Sequence, residues 1–212
     1  MTDHWNSFYA EFGGLEDPSL FAAFVNKELL EQSLIIDCGC GNGRDSIFFA
    51  NNGHKVIGLD SSSEAISRAS GRAIAEGVDD NITFDNLIFS GDRLKSVSIP
   101  QLWGGLPLVI YARFFLHSLT DRSRNDFYKF VCDLSSKGKV LHVFAEFRVH
   151  EDRNLEKHFG VHYRKFLELE EVLEEFTSWD FEILYSEKSN GFAPYLDEDP
   201  VLGRIWGLRD GK

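Results

Sequence analysis

The sequence predicts an open α/β sheet with helices on both faces, and three observations predict it. Short apolar runs of strand character alternate with longer stretches of helical period. A glycine-rich turn, Asp37-Cys38-Gly39-Cys40-Gly41-Asn42-Gly43, closes the first apolar run and leads into a helix. The chain, at 212 residues, is long enough for one sizeable core and short for two. We therefore expect a single domain over residues 1–212, with an N-terminal helical segment (1–32) ahead of an α/β core (33–212).

The elements follow in order. Residues 4–12 read as a helix, and a second helix runs over 17–32 with Asp17 as N-cap and Pro18 in its first turn. Leu34-Ile35-Ile36 is a short buried strand entering the glycine turn. Helical pattern resumes at Arg44 and stops at Gly53, a residue suited to the left-handed position after a helix. Residues 55–59 form the second strand, ending on Asp60. The serines that follow, with Glu64, resemble a capping box opening the next helix. Strands are expected at 81–89, 106–115, 140–147 and 180–188, with helices at 120–139 and 166–179. The tail, 201–209, pairs as a hairpin with the preceding strand. Seven strands result, mostly parallel, with one antiparallel edge strand because no helix separates the last two.

Composition narrows the function classes. Lys and Arg number 22 against 34 Asp and Glu, a net charge of −12. Such a surface repels phosphate backbones, which argues against nucleic acid as a partner. The first residues carry neither a basic region nor a continuous apolar stretch, and no apolar run has membrane-spanning length. Three cysteines, two of them one residue apart, make no disulfide framework, so the cytoplasm is the expected compartment.

The glycine turn admits three readings. As a metal site, Cys38-x-Cys40 lacks a second ligand pair, and we expect no metal. As a dinucleotide cradle, the turn reads G-x-G-x-G instead of G-x-G-x-x-G. Asp37 would also place a negative charge beside a pyrophosphate. As a platform for some other nucleotide-like cofactor, the turn is joined by Asp60 at the end of the second strand, where a carboxylate can accept hydrogen bonds from ribose hydroxyls.

On these residues the chain resembles the class I S-adenosylmethionine-dependent methyltransferases, whose first motif is an acidic residue followed by G-x-G-x-G. The resemblance runs in motif order from about Leu34 to Phe147. It implies a Rossmann-like fold, S-adenosylmethionine as cofactor and a small-molecule acceptor. It also implies cofactor contacts at Asp37, Gly39, Cys40, Gly41, Asp60, Ser61 and Phe89. Asp37 would lie near the amino acid end, Asp60 at the ribose and Ser61 beside adenine. The family's usual acidic residue for the adenine amino group is replaced here by Ile88, so a backbone group from 89–91 would have to substitute. The N-terminal aromatics Trp5, Phe8, Tyr9 and Phe12 would form a lid, or alternatively a core-packing stripe. The bacterial tellurite-resistance, thiopurine and surface-glycan methyltransferases are the branches it looks most like.

The acceptor is expected beyond the fourth and fifth strands. Tyr111, Arg113, Glu146, Arg148 and Arg164 are the candidate substrate contacts. Three arginines converging in an acidic chain would suit a phosphate- or carboxylate-bearing acceptor. The alternative is that Arg113 simply pairs with Glu146. His117, His162 and Tyr163 are candidate catalytic groups, although an already anionic acceptor needs no base. Methyl transfer to oxygen of a small anionic metabolite or glycan precursor is the leading expectation. The rival readings are a nicotinamide-dependent oxidoreductase and a non-catalytic S-adenosylmethionine-binding module.

Overall fold

The computed structural model describes residues 2–89, 105–135, 140–154 and 165–210. Helices α1 (Thr2–Phe12) and α2 (Leu20–Glu28) precede β1 (Leu34–Cys38), α3 (Arg44–Asn51), β2 (Lys55–Asp60), α4 (Ser63–Ala75) and β3 (Ile82–Asn86). Then come β4 (Leu108–Arg113), α5 (Asp121–Ser135), β5 (Leu141–Arg148), α6 (Leu169–Ser178), β6 (Glu182–Ser189) and β7 (Leu202–Arg209). One seven-stranded sheet results, in the order β3-β2-β1-β4-β5-β7-β6. β1 to β5 are parallel, and β7 runs antiparallel to both β5 and β6.

The expected mostly parallel sheet is present, but the antiparallel strand sits one place further in. β7 inserts between β5 and β6, leaving β6 at the edge. Burial explains the placement. Leu202 and Ile205 of β7 are buried, whereas β6 alternates between half-buried and exposed positions. The strand with the apolar face takes the covered position.

Both faces of the sheet are covered, so its central strands are apolar throughout. In β1, Leu34, Ile36 and Cys38 face one core and Ile35 faces the other. The first core is completed by Phe127, Tyr128 and Val131 of α5 with Val172 and Phe176 of α6. The second is completed by Phe21 and Val25 of α2, Ile47 and Phe49 of α3, and Ala73 of α4. Cys38 is fully buried in the first core.

Two helix starts differ from the sequence expectation. α2 is capped by Ser19 instead of Asp17; the Ser19 hydroxyl accepts from the Ala22 N–H at 3.0 Å. Asp45 on α3 fixes Ser19 there, accepting from its N–H and its hydroxyl at 2.8 Å each. α4 is capped by Ser62, which accepts from the Ala65 N–H at 3.1 Å. Glu64 does not reach back to close a box; it pairs with Arg68 at 2.9 Å.

The strand order reverses between β1 and β4, because β2 leaves β1 on one side and β4 joins it on the other. A crevice opens there beyond the carboxyl ends of the strands, the usual ligand position in such sheets. The glycine turn after β1 lies at its mouth.

Candidate functional site

A cavity of about 750 Å³ occupies this crevice. That volume falls within the roughly 300–1,000 Å³ typical of small-molecule sites. One wall is the β1 turn with Asp60 and Ser61 after β2. Another is the end of β4, Tyr111 to Phe115, with His117 and Arg148. α1 contributes Trp5, Phe8, Tyr9 and Phe12, and the segment between β6 and β7 contributes Tyr195 and Glu198.

The turn's own hydrogen bonds decide what it can hold. The N–H groups of Gly39 and Cys40 both donate to the Leu59 carbonyl, at 2.7 and 3.1 Å. The Gly41 N–H donates to Asp60 Oδ2 at 2.9 Å, and the Gly43 N–H to the Cys40 carbonyl at 3.0 Å. These amides are therefore spent within the protein, and the turn cannot offer them to a pyrophosphate. What it presents instead is carboxylate, from Asp37 and Asp60. A group that carries positive charge and hydroxyls suits this wall; a diphosphate does not.

Local conformation makes the turn possible. Gly39, Gly41 and Gly43 have φ of 79°, 55° and 77°, in the left-handed region where a side chain is disfavoured. A Cβ on Gly41 would collide with the Tyr9 hydroxyl, so α1 packs directly on the turn. α1 is anchored there by Asn6, whose Oδ1 accepts from the Ser62 hydroxyl at 2.8 Å. Asn42 fastens the chain that follows α1, donating to the carbonyls of Gly13 and Leu15 at 2.9 and 2.8 Å.

Burial pushes the Asp37 carboxyl up to about 8, against a 2.5 Å hydrogen bond from Ser46 that favours its charge. Asp60 is raised as well, again chiefly by burial, with its backbone hydrogen bonds opposing. The Asp37 shift fixes a sign. Unfolded, Asp37 titrates near 3.8; folded, near 8. Between those values the folded state keeps a proton that the unfolded chain has lost. Its stabilising contribution is therefore full below 3.8 and lost as pH rises through 8. A cation seated beside Asp37 expels that proton. Uptake of a cationic ligand there at pH 7 is accordingly expected to release up to one proton, and Asp37→Asn to release none. Calorimetry in buffers of different ionisation enthalpy measures this, and native binding without proton release would refute it.

Most sequence-derived site residues meet in the cavity wall: Asp37, Gly39, Cys40, Asp60, Ser61, Phe89, Tyr111, Arg113, His117 and Arg148. Ile88 lines it too, while Asp85 and Asn86 are exposed. Gly41 lies behind the Tyr9 hydroxyl instead of lining the cavity. His162, Tyr163 and Arg164 lie outside the described residues.

The substrate-side assignments need correction. Arg113, Glu146 and Arg204 share one rung across β4, β5 and β7. Arg113 Nε donates to Glu146 Oε1 at 2.9 Å and Arg204 Nε to Glu146 Oε2 at 2.7 Å. Glu146 is completely buried between them and does not line the cavity, so it binds arginines and not substrate. Arg148 is held by Asp152 and Glu198, both at 2.5 Å. Two carboxylates around one guanidinium leave no open anion site at Arg148. The Tyr111 hydroxyl is likewise engaged, donating to Asp45 Oδ2 at 2.7 Å. The buried His117 uses Nδ1 to accept the Arg148 N–H at 3.2 Å, which ties that nitrogen to the backbone.

Phe114 is a feature that periodicity does not reveal. It has φ of 53°, and its N–H donates to the Glu146 carbonyl at 2.8 Å. Such a conformation costs about 1–3 kcal/mol and persists where surroundings impose it. The result is a ring in the cavity wall with the Arg113 guanidinium 4.2 Å and that of Arg148 5.5 Å from its centre.

Comparison with known proteins agrees with this geometry. Residues 30–89, which carry β1, the glycine turn, Asp60 and β3, match a family model described as a methyltransferase domain. A solved S-adenosylmethionine-dependent methyltransferase from Anabaena variabilis superposes with a TM-score of 0.69 at 21% identity. That match covers 100% of this chain and 93% of the other. The fold is that of the class I S-adenosylmethionine-dependent methyltransferases.

The same fold also serves other chemistry. The [4+2]-cyclase SpnF superposes at a TM-score of 0.70 and 13% identity, over 100% of this chain and 93% of that one. Fold alone therefore does not fix the reaction. A 2-heptyl-1-hydroxyquinolin-4(1H)-one methyltransferase from Mycobacteroides abscessus is 37% identical over 62 residues, 27% of this chain. The match spans about a quarter of that relative's length, 27%. Among the described residues no group of three His, Cys, Asp or Glu side chains is placed to hold a metal ion, and no helix is long and apolar enough to cross a membrane.

Proposed function

We propose that the protein transfers a methyl group from S-adenosylmethionine to a small, ring-bearing acceptor, most readily at oxygen. One observation carries this reading. A single cavity joins a glycine turn that presents carboxylates with spent amides to an aromatic wall around Phe114. The turn fits the cofactor: Asp37 suits its ammonium, Asp60 its ribose diol, and the half-buried Ile88 with Phe89 its adenine. Bound there, the cofactor would supply an electrophilic methyl on a sulfonium.

The protein's contribution is alignment and exclusion of water. Phe114, Trp5, Phe8 and Phe12 provide flat apolar surface against which an acceptor ring packs. α1 acts as a lid, since its aromatics lie over the cavity while Asn6 and Tyr9 fix it to the cofactor side. Against a phosphate- or carboxylate-bearing acceptor stands the pairing of Arg148 with two carboxylates and of Arg113 with Glu146. The relative from Mycobacteroides abscessus acts, by its name, on a hydroxyquinolone, an acceptor of the ring-bearing kind.

A screen for S-adenosylhomocysteine release tests the proposal, with hydroxylated heteroaromatics in one arm and phosphorylated or carboxylated aliphatic metabolites in the other. Turnover is expected in the first arm and is expected to fall at least about tenfold in Phe114→Ala. Turnover confined to the second arm would overturn the ring-bearing assignment.

A further inference from the structure

His117 stands on the short turn Leu116–Ser118 between β4 and α5, in the cavity wall and only 3% exposed. Its Nδ1 accepts the Arg148 backbone N–H at 3.2 Å. A neutral imidazole has one nitrogen with a lone pair and one that carries hydrogen. The bond from Arg148 therefore fixes the lone pair at Nδ1 and the hydrogen at Nε2. Nothing remains on the ring to take a proton from a substrate. Protonation at Nδ1 would set two N–H groups face to face and break the bond from β5. As placed, the ring has a hydrogen to give and no lone pair to receive one.

The carboxylates of the wall, among the described residues, are otherwise engaged or lie exposed. Glu198 is bonded to Arg148, and Asp45 to Ser19 and Tyr111. Asp37 and Asp60 belong to the cofactor side. Glu16 and Asp17 are exposed at the rim between α1 and α2. Burial pushes the phenols of Tyr9 and Tyr111 well above their ordinary range, so both hold their protons. The charged groups on the elements around His117 are cations already met by carboxylates: Arg148 by Asp152 and Glu198, Arg113 by Glu146, Lys165 by Asp121. His150 lies out at the surface beside Glu168.

We propose that the acceptor brings its own negative charge: its reacting group is a ring hydroxyl acidic enough to be ionised near neutral pH, and no protein base deprotonates it. This rests on the ring-bearing acceptor reading above and deepens it by naming the class of hydroxyl. In the transfer, the electron pair of the oxyanion forms the oxygen–carbon bond. The carbon–sulfur bond breaks, and its pair stays on sulfur as a neutral thioether. No proton moves. The step joins opposite charges, which a cavity emptied of water favours. The Arg113 guanidinium, 4.2 Å from the Phe114 ring centre, donates to Glu146 through Nε, and its remaining N–H groups suit a single ring oxygen. A delocalised oxyanion needs one such edge, where a phosphate or carboxylate group needs an open cluster of them.

The test measures rates against pH for an N-hydroxyquinolone and its nitro- and methoxy-substituted forms, whose hydroxyls differ in acidity. Saturating S-adenosylmethionine keeps Asp37 charged throughout. The midpoint of kcat/KM is expected to move with each acceptor's own ionisation, unit for unit, with rates falling about tenfold per pH unit below it. The analogue with a hydroxymethyl group in place of the N-hydroxyl does not ionise, and it is expected to react at least about 100-fold more slowly. His117→Asn is expected to leave every midpoint in place, since the asparagine side-chain oxygen can accept the Arg148 N–H. A midpoint shared by all acceptors, or a comparable rate for the hydroxymethyl analogue, would reveal an enzyme base and overturn the proposal while leaving the ring-bearing reading standing. Loss of the pH dependence in His117→Asn would overturn it too, by identifying His117 as that base. Turnover of phosphorylated or carboxylated aliphatics with none of these rings would overturn the ring-bearing reading itself.

Discussion

Replacing Asp60 by alanine is expected to weaken S-adenosylmethionine binding by about 100-fold or more while the chain stays folded. Two effects add. The carboxylate that would accept from the ribose diol disappears, and hydrogen bonds to a charged group are worth about 1.5–3 kcal/mol each. The turn also loses its latch, because Asp60 Oδ2 accepts the Gly41 N–H at 2.9 Å and Oδ1 the Ser62 N–H at 2.8 Å. Asp60→Asn keeps one acceptor oxygen and is expected to fall between native and alanine. Titration calorimetry measures the affinities, and circular dichroism confirms the fold. Unchanged affinity in the alanine variant would remove Asp60 from the site.

Glu146→Ala is expected to be the most destabilising single change, costing about 3–5 kcal/mol. The residue is completely buried between Arg113 and Arg204, so its removal leaves two arginines without their shared counter-charge. Arg204 is further enclosed, its guanidinium 3.9 Å from the Phe192 ring centre and 5.1 Å from that of Phe21. The Phe192 carbonyl accepts from Arg204 Nη2 at 3.2 Å, but it is neutral and does not replace the charge of Glu146. Denaturant unfolding followed by tryptophan fluorescence measures the loss. A change below about 1 kcal/mol would show that the arginines find solvent, and that the rung across β4, β5 and β7 is not structural.

The sequence reveals those parts of the molecule that depend on neighbours in the chain. β1, the glycine turn and α3 follow one another within eighteen residues, and each carries a local signal: an apolar run, left-handed glycines, an amphipathic helix. Asp60 is found the same way, as the residue closing a short strand. What depends on register across the sheet is hidden. Glu146 resembles a substrate contact until β4 and β7 place an arginine on either side of it. Arg148 resembles an anion ligand until Glu198, fifty residues further on, is seen against it. The insertion of β7 between β5 and β6 is equally non-local. Its apolar residues show that it is covered but not by which strands.

Phe114 is placed by the sequence at the acceptor end of the fourth strand, but its left-handed backbone is not legible there, because the Glu146 carbonyl and the arginine stack impose it and a phenylalanine has no intrinsic preference for it. The start of α2 was misplaced for a similar reason. Asp17 and Ser19 are both good caps in isolation, and Asp45 on α3 selects the second.

The central claim is that the β1 turn receives a cationic nucleoside and not a dinucleotide, because its glycine amides are bonded within the protein and the charged groups it turns to the cavity include the carboxyls of Asp37 and Asp60. Titration of the native protein with S-adenosylmethionine and, separately, with a nicotinamide dinucleotide tests this most directly. Saturable one-to-one uptake of S-adenosylmethionine, with proton release at pH 7 and no heat from the dinucleotide, is the predicted result. Uptake of the dinucleotide with none of S-adenosylmethionine would contradict it.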